Sequence, residues 1–244
     1  MTGRQKAGSA GRWVAAAAGL AAASYAAYVA TAWYRYGKAA RRRDVSQDAL
    51  LDRFMPAYDV VERHHVRIGA PAAVTFQAAS EMYLEQSAIV RAIFKAREWI
   101  MRSHAAREPE ARGFLDQMRA IGWGVLAEIP DREIVMGAVT RPWMADVVFR
   151  PLPPDQFAAF AEPGYVKIAW TLRADPVGAD SSIFRTETRV VTTDLAARSR
   201  FRRYWALASP GIILIRWAAL GPLKAEAERR NRALHGASTA EAVP

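Results

Sequence analysis

The chain has 244 residues, enough for one sizeable core and a short appendage, and its formal net charge is +10. It contains no cysteine, which excludes disulfides, thiolate chemistry and Cys-ligated metal sites. Its excess of basic residues belongs to the two ends, with a net acidic stretch over residues 44–193, a distribution that suits an anionic membrane surface better than nucleic acid.

Residues 1–12 form a basic tail. Trp13 to Tyr34 then runs without a charge. A helix of that length, at about 1.5 Å per residue, just crosses a hydrocarbon core of ~30 Å. Trp13 stands at one end and Trp33, Tyr34 and Tyr36 at the other, as an aromatic belt requires. We read 13–36 as an uncleaved transmembrane helix. Two other readings stay open: a cleaved signal, for which Ala30-Thr31-Ala32 offers a small-x-small site, and a soluble Ala-rich helix. Ala15, Gly19, Ala22 and Ala26 would let two such helices pack closely, so a homo-oligomer through this segment is an expectation. Arg35, Lys38, Arg41, Arg42 and Arg43 follow the segment, against Arg4, Lys6 and Arg12 before it. That bias predicts a single-pass protein of the cell membrane with its globular part in the cytoplasm.

Residues 37–56 read as a tether, with room for one helical turn over 48–54. Tyr58 to Ile68 is the first predicted strand, with Val60, Glu62, His64, Val66 and Ile68 on one face. Pro71 suits a helix start, and Val74, Phe76, Ala78 and Ala79 supply that helix's buried side. Glu81 to Met101 continues as a helix, residues 104–112 as a polar loop, and Phe114 to Met118 as one more turn.

The next hairpin joins Trp123–Ile129 to Arg132–Arg141 around Pro130-Asp131. A two-residue turn there pairs Ala127 with Ile134 and Val125 with Met136. It puts Trp123, Val125, Ala127, Ile129, Ile134, Met136 and Ala138 inside. Trp143 to Phe149 is a further predicted strand, and residues 151–160 a loop with a short helix.

The last third organises the rest. Tyr165–Arg173 and Ser182–Thr193 alternate as strands around a turn from Asp175 to Asp180. Val166, Ile168, Trp170 and Leu172 share one face with Phe184, Thr186, Thr188 and Val190, while Glu187 points the other way. Asp194 is a good N-cap for a long helix. Pro210-Gly211 is expected to kink or break that helix. Ile212 to Leu223 is then apolar almost all round, interrupted by Arg216, and Lys224 to Arg232 is charged; two readings of the apolar stretch stay open, buried core or a helix dipping one side into a bilayer that it is too short to span. Residues 235–244 read as a disordered tail, which puts the folded domain at 57–234.

A strand ending at Ile68, followed by Gly69-Ala70-Pro71-Ala72-Ala73-Val74-Thr75-Phe76, resembles the START-like or SRPBCC superfamily, which includes polyketide cyclase/dehydrase-like and lipid-transport proteins. The order of elements after it fits the same superfamily, from Tyr58 to about Ala233. The stretch from Gly122 to Val139 resembles the sheet of one of its subgroups. The resemblance implies an α+β helix-grip fold: a curved antiparallel sheet around a long C-terminal helix, with a hydrophobic cavity between them.

No zinc-binding, nucleophile-elbow or dinucleotide motif is present. His64 and His65 are adjacent on a strand and point to opposite faces, so they are no metal pair. We expect no metal, no cofactor and no catalytic residue. The expected pocket lining is His64, Trp123, Val125, Met136, Trp170, Phe184, Thr186, Thr188, Phe201 and Tyr204. The expected activity is membrane-anchored binding of a hydrophobic small molecule, a lipid or isoprenoid-like compound. Two alternatives remain. One is a cyclase or dehydratase, for which Glu62, His64 and Glu187 are the nearest acid–base candidates. The other is a protein-interaction module with a filled core.

Overall fold

The structure, a computed structural model, describes residues 3–37, 48–82 and 113–241. Most of the helix expected over 81–101, and the loop after it, lie outside the described residues. In chain order the elements are α1 (Gly3–Arg35), α2 (Ala49–Asp52), β1 (Val60–Ile68), α3 (Ala72–Glu81), α4 (Phe114–Ala120), β2 (Gly124–Ile129), β3 (Glu133–Thr140), α5 (Pro154–Ala159), β4 (Val166–Gly178), β5 (Ser181–Thr192) and α6 (Leu195–Glu241). The five strands form one antiparallel sheet in the order β1-β5-β4-β3-β2.

Strand alternation sorts the sheet into two faces. One rung of the inner face crosses all five strands: Glu62 lies opposite Thr188, Thr188 opposite Trp170, Trp170 opposite Met136, and Met136 opposite Val125. The neighbouring rung on one side holds Val60, Val190, Ile168 and Ala138.

Helix α6 closes this face. Asp194 caps it, accepting from the Ala197 amide at 2.7 Å and from the Gly164 amide in the loop before β4. Phe201, Trp205, Ser209, Ile212, Arg216, Leu220, Leu223 and Ala227 recur every three or four residues, the spacing of one helix face. This stripe meets the sheet in two apolar clusters. One gathers Ile68, Phe76, Met136, Trp170, Leu172, Phe184, Leu223 and Ala227; the other Tyr36, Val60, Val166, Val190, Phe201 and Trp205. A sheet folded around a long C-terminal helix is the helix-grip arrangement.

The outer face is covered too. Leu51, Met55 and Phe157, from α2, its C-terminal turn and α5, pack on Leu126, Val135 and Val139. Beneath them lies an ionic network. Arg189, 1% exposed, donates to Glu187 at 2.7 Å, to the Met55 carbonyl at 2.7 Å and to Asp52, and its guanidinium covers the Tyr58 ring at 4.8 Å. Arg63 grips the same Glu187 with two hydrogen bonds, of 2.7 and 2.8 Å. A buried arginine is tolerable only with its donors satisfied in this way.

Several sequence expectations change. Residues 48–55 are not tether: Asp48 accepts from the Leu51 amide, and Leu51 and Met55 insert against the sheet. The β2–β3 turn has three residues, Pro130, Asp131 and Arg132. Asp131 takes the positive φ of 57° that the position after a turn proline requires here. Ile129 then faces Glu133, and a bulge at Leu126 restores the pairing of Val125 with Met136. The bulge moves Ala127 off the inner face and leaves Ile129 exposed. It also explains Gly137, where an added Cβ would come within 2.5 Å of the Leu126 side chain.

Residues 143–149 form turns rather than a strand, joined to the sheet by the bridge between Val139 and Arg150. The predicted turn at Asp175–Gly178 is strand, and the reversal falls at Ala179-Asp180. Helix α6 runs unbroken through Pro210, and through Pro222, to Glu241; what read as a disordered tail is helical that far.

Candidate functional site: a polar band under the long helix

Between the two apolar clusters the inner face turns polar. Glu62 and His64 on β1 lie opposite Thr188 and Thr186 on β5. Arg216 comes down from α6, and its Nη1 reaches Thr186 Oγ1 at 3.4 Å. His64 Nε2 and Thr188 Oγ1 are buried and have no hydrogen-bond partner among the described residues. Glu62 has no ion-pair partner within 4.0 Å among the described residues.

The electrostatics follow from enclosure. Burial pushes the Glu62 carboxyl above its usual range, and the nearby Arg216 charge pulls against that shift. Burial lowers the His64 pKa, and the charges of Arg216 and His65 lower it further, so the ring is neutral at physiological pH. Burial draws Arg216 down to about 10, which leaves it a cation. The band thus offers one cation, a neutral imidazole, two hydroxyls and a carboxyl of raised pKa. Its donors and acceptors match those of a polar or anionic group.

The ten predicted lining residues divide three ways. His64, Thr186 and Thr188 belong to the band. Met136, Trp170 and Phe184 are buried in the first cluster, with Trp123 and Val125 packed on it; Trp123 stacks on Phe149 at 4.8 Å and meets Trp170 edge-on at 5.8 Å. Phe201 and Tyr204 belong to the other cluster, where Phe201 contacts Tyr36, Tyr204 and Trp205. The aromatic members therefore pack on one another, whereas His64 Nε2 and Thr188 Oγ1 have no partner among the described residues and Thr186 has only the long contact with Arg216. Glu187, an acid–base candidate, is on the outer face with Arg63 and Arg189.

Arg216 was missing from the predicted set. Its signal was present: a lone arginine in an apolar stretch, at the spacing of the buried stripe. A groove of about 340 Å³ opens elsewhere, between α3 and the end of α6, lined by Val74, Gln77, Arg229, Arg230, Ala233 and Leu234. None of the ten residues borders it.

No family model matches the chain, and no curated protein matches it. Solved structures do. A hypothetical protein from Helicobacter pylori aligns at 10% identity and a TM-score of 0.37, over 76% of this chain and 97% of its own. A protein from Rhizobium loti aligns at 14% and 0.28, over 68% and 96%. An aromatase/cyclase from a Streptomyces species aligns at 14% and 0.24, over 70% and 94%. The fold is a helix grip. That statement rests on the architecture described above, with α6 gripped by the antiparallel sheet. Likenesses this distant say nothing about activity.

Proposed function

We propose that this helix-grip domain binds an amphipathic small molecule, a lipid or isoprenoid-like compound, with its polar end at the band and its apolar part among the flanking clusters, and that α1 holds the domain at a bilayer. The observation that carries the reading is the pair of buried, unpartnered atoms, His64 Nε2 and Thr188 Oγ1, beside Arg216. A buried polar atom without a partner costs roughly 1–3 kcal/mol, which a ligand's hydrogen bonds would recover. A membrane segment at α1 would keep the site close to its lipid pool.

The test uses the full chain purified in mild detergent. Solvent extraction and mass spectrometry should find a co-purifying amphiphile, and added oleate should raise the melting temperature. Both effects should be lost in Arg216→Leu, with circular dichroism confirming that the variant stays folded. An empty wild-type protein whose melting temperature ignores oleate would refute the proposal.

One observation favours a second reading. Glu62, with its raised pKa, sits two residues from the neutral His64 on the same face, an arrangement suited to acid–base catalysis of a cyclisation or dehydration. Turnover lost in Glu62→Gln with binding retained would distinguish it.

A further inference from the structure

The side of α6 that faces away from the sheet is apolar as well. Leu207, Leu214 and Trp217 are 58%, 44% and 69% exposed. Along with Pro210 and Gly221 they recur on the side opposite Ser209, Arg216, Leu220 and Ala227.

Helix α1 is anchored to the same helix. Tyr36 is buried against Phe201, and Arg198 covers its ring at 5.3 Å. Arg202 donates twice to the Trp33 carbonyl, at 3.0 and 2.7 Å, and stacks over the Trp33 ring at 4.2 Å. The Tyr28 hydroxyl meets Ser209 Oγ at 3.1 Å, and the Tyr25 hydroxyl donates to the Leu207 carbonyl at 2.8 Å. From Arg198 through Arg202 to Ser209 the partners fall from Tyr36 through Trp33 to Tyr28, so the two helices are antiparallel.

Toward its N-terminus α1 leaves the protein, and Arg12 to Ser24 are exposed throughout. This is half of the apolar segment Arg12–Arg35, none of which is buried. Trp217 lies eight residues past Ser209, and Leu20 lies eight residues back from Tyr28. Both are therefore about 12 Å from that shared contact, in the same direction. A medium that receives Leu20 meets Trp217 at the same level. Exposed Arg35, Arg200 and Arg203 stand at the opposite end of the pairing, where anionic head groups would be held. Tryptophan beside leucine, with arginine at the margin, is the chemistry of a lipid–water boundary.

We propose that the outward face of α6, through Leu207, Leu214 and Trp217, docks on a lipid bilayer as a continuation of α1. This rests on the bilayer reading of α1 given above. Because the sheet occupies its other face, α6 meets lipid along this one face only and does not cross the bilayer. Arg216, adjacent in sequence to Trp217, then places the polar band one helix thickness from the lipid, and α6 is the wall that separates them.

The absence of cysteine makes the test clean. Single-cysteine variants Leu214→Cys, Trp217→Cys and Leu20→Cys, with Glu128→Cys on the exposed end of β2 as control, are labelled with the environment-sensitive fluorophore NBD. The full chain is reconstituted in phosphatidylcholine–phosphatidylglycerol vesicles. Probes at 214, 217 and 20 should shift to shorter wavelength and lose most of their emission to doxyl-labelled lipid, while the probe at 128 does neither. Water-exposed probes at 214 and 217 beside a quenched probe at 20 would overturn the α6 proposal and leave the anchor standing. If the probe at 20 is also unquenched, both fall. Efficient disulfide cross-linking through unlabelled Trp217→Cys in the same vesicles would give the face to a second copy of the chain, and would equally overturn the proposal. Ligand retention and its loss in Arg216→Leu report on the polar band separately.

Discussion

Arg189 and Arg216 show how the same side chain takes opposite roles on the two faces of one sheet. Arg189 is matched by Glu187, Asp52 and a carbonyl, so it is structural. Among the described residues Arg216 has one long contact, with a hydroxyl, and a carboxyl nearby that does not close on it. Glu133 is a third kind of buried charge. It lies at the edge of the outer face with Oε1 unpartnered among the described residues, beside Asp48, Arg173 and Asp175. Burial first, then Asp48, pushes its carboxyl up to about 8. The folded protein therefore holds a proton at neutral pH that the unfolded chain, with an ordinary carboxyl near ~4.3, has released. Stability at this group is full below the unfolded pKa, falls as pH rises toward about 8, and is level above it. Urea midpoints measured across that window should decline in the wild type and decline less in Glu133→Gln.

Element boundaries here are set by what covers each element. Helix α2 has only four residues, far too few to be stable alone. It persists because Asp48 caps it and Leu51 is fully buried against the sheet. Leu51→Ala should cost about 3 kcal/mol by creating a cavity, read as a lower urea midpoint with an unchanged slope. The long helix illustrates the converse. A proline in a helix interior costs about 3 kcal/mol, and α6 contains Pro210 and Pro222. It continues through both because its inner stripe is packed against the sheet on either side of each. Pro210 directly follows Ser209, which Tyr28 engages from α1, so a helix partner braces the weakened turn.

At the scale of the molecule, α1 is more than an appendage. Its C-terminal end supplies Tyr36 to the cluster of Val60, Val166, Val190, Phe201 and Trp205, closing one end of the space between sheet and helix. Removing residues 1–37 should therefore uncover that end. The loss of the buried Tyr36 ring alone is worth about 2 kcal/mol. The truncated protein should melt lower and bind an apolar dye such as ANS more strongly than the full chain in the same detergent. Unchanged melting and dye binding would mean that α1 contributes nothing to the core.

Local periodicity was enough to fix the inner faces of β1, β4 and β5, the Asp194 cap and the run of α6, because each depends on residues a few positions apart. That is why His64, Thr186 and Thr188 could be picked out in advance as one inward group. The bulge at Leu126 shows where such reasoning stops: one extra residue shifts every later side chain to the other face, and only pairing with β3 reveals it. The docking of α2, the antiparallel clasp of α1 on α6 and the descent of Arg216 onto β5 join positions 30 to more than 180 residues apart. No spacing rule reaches that far. Those contacts decided which polar groups have partners, and so where the candidate site lies.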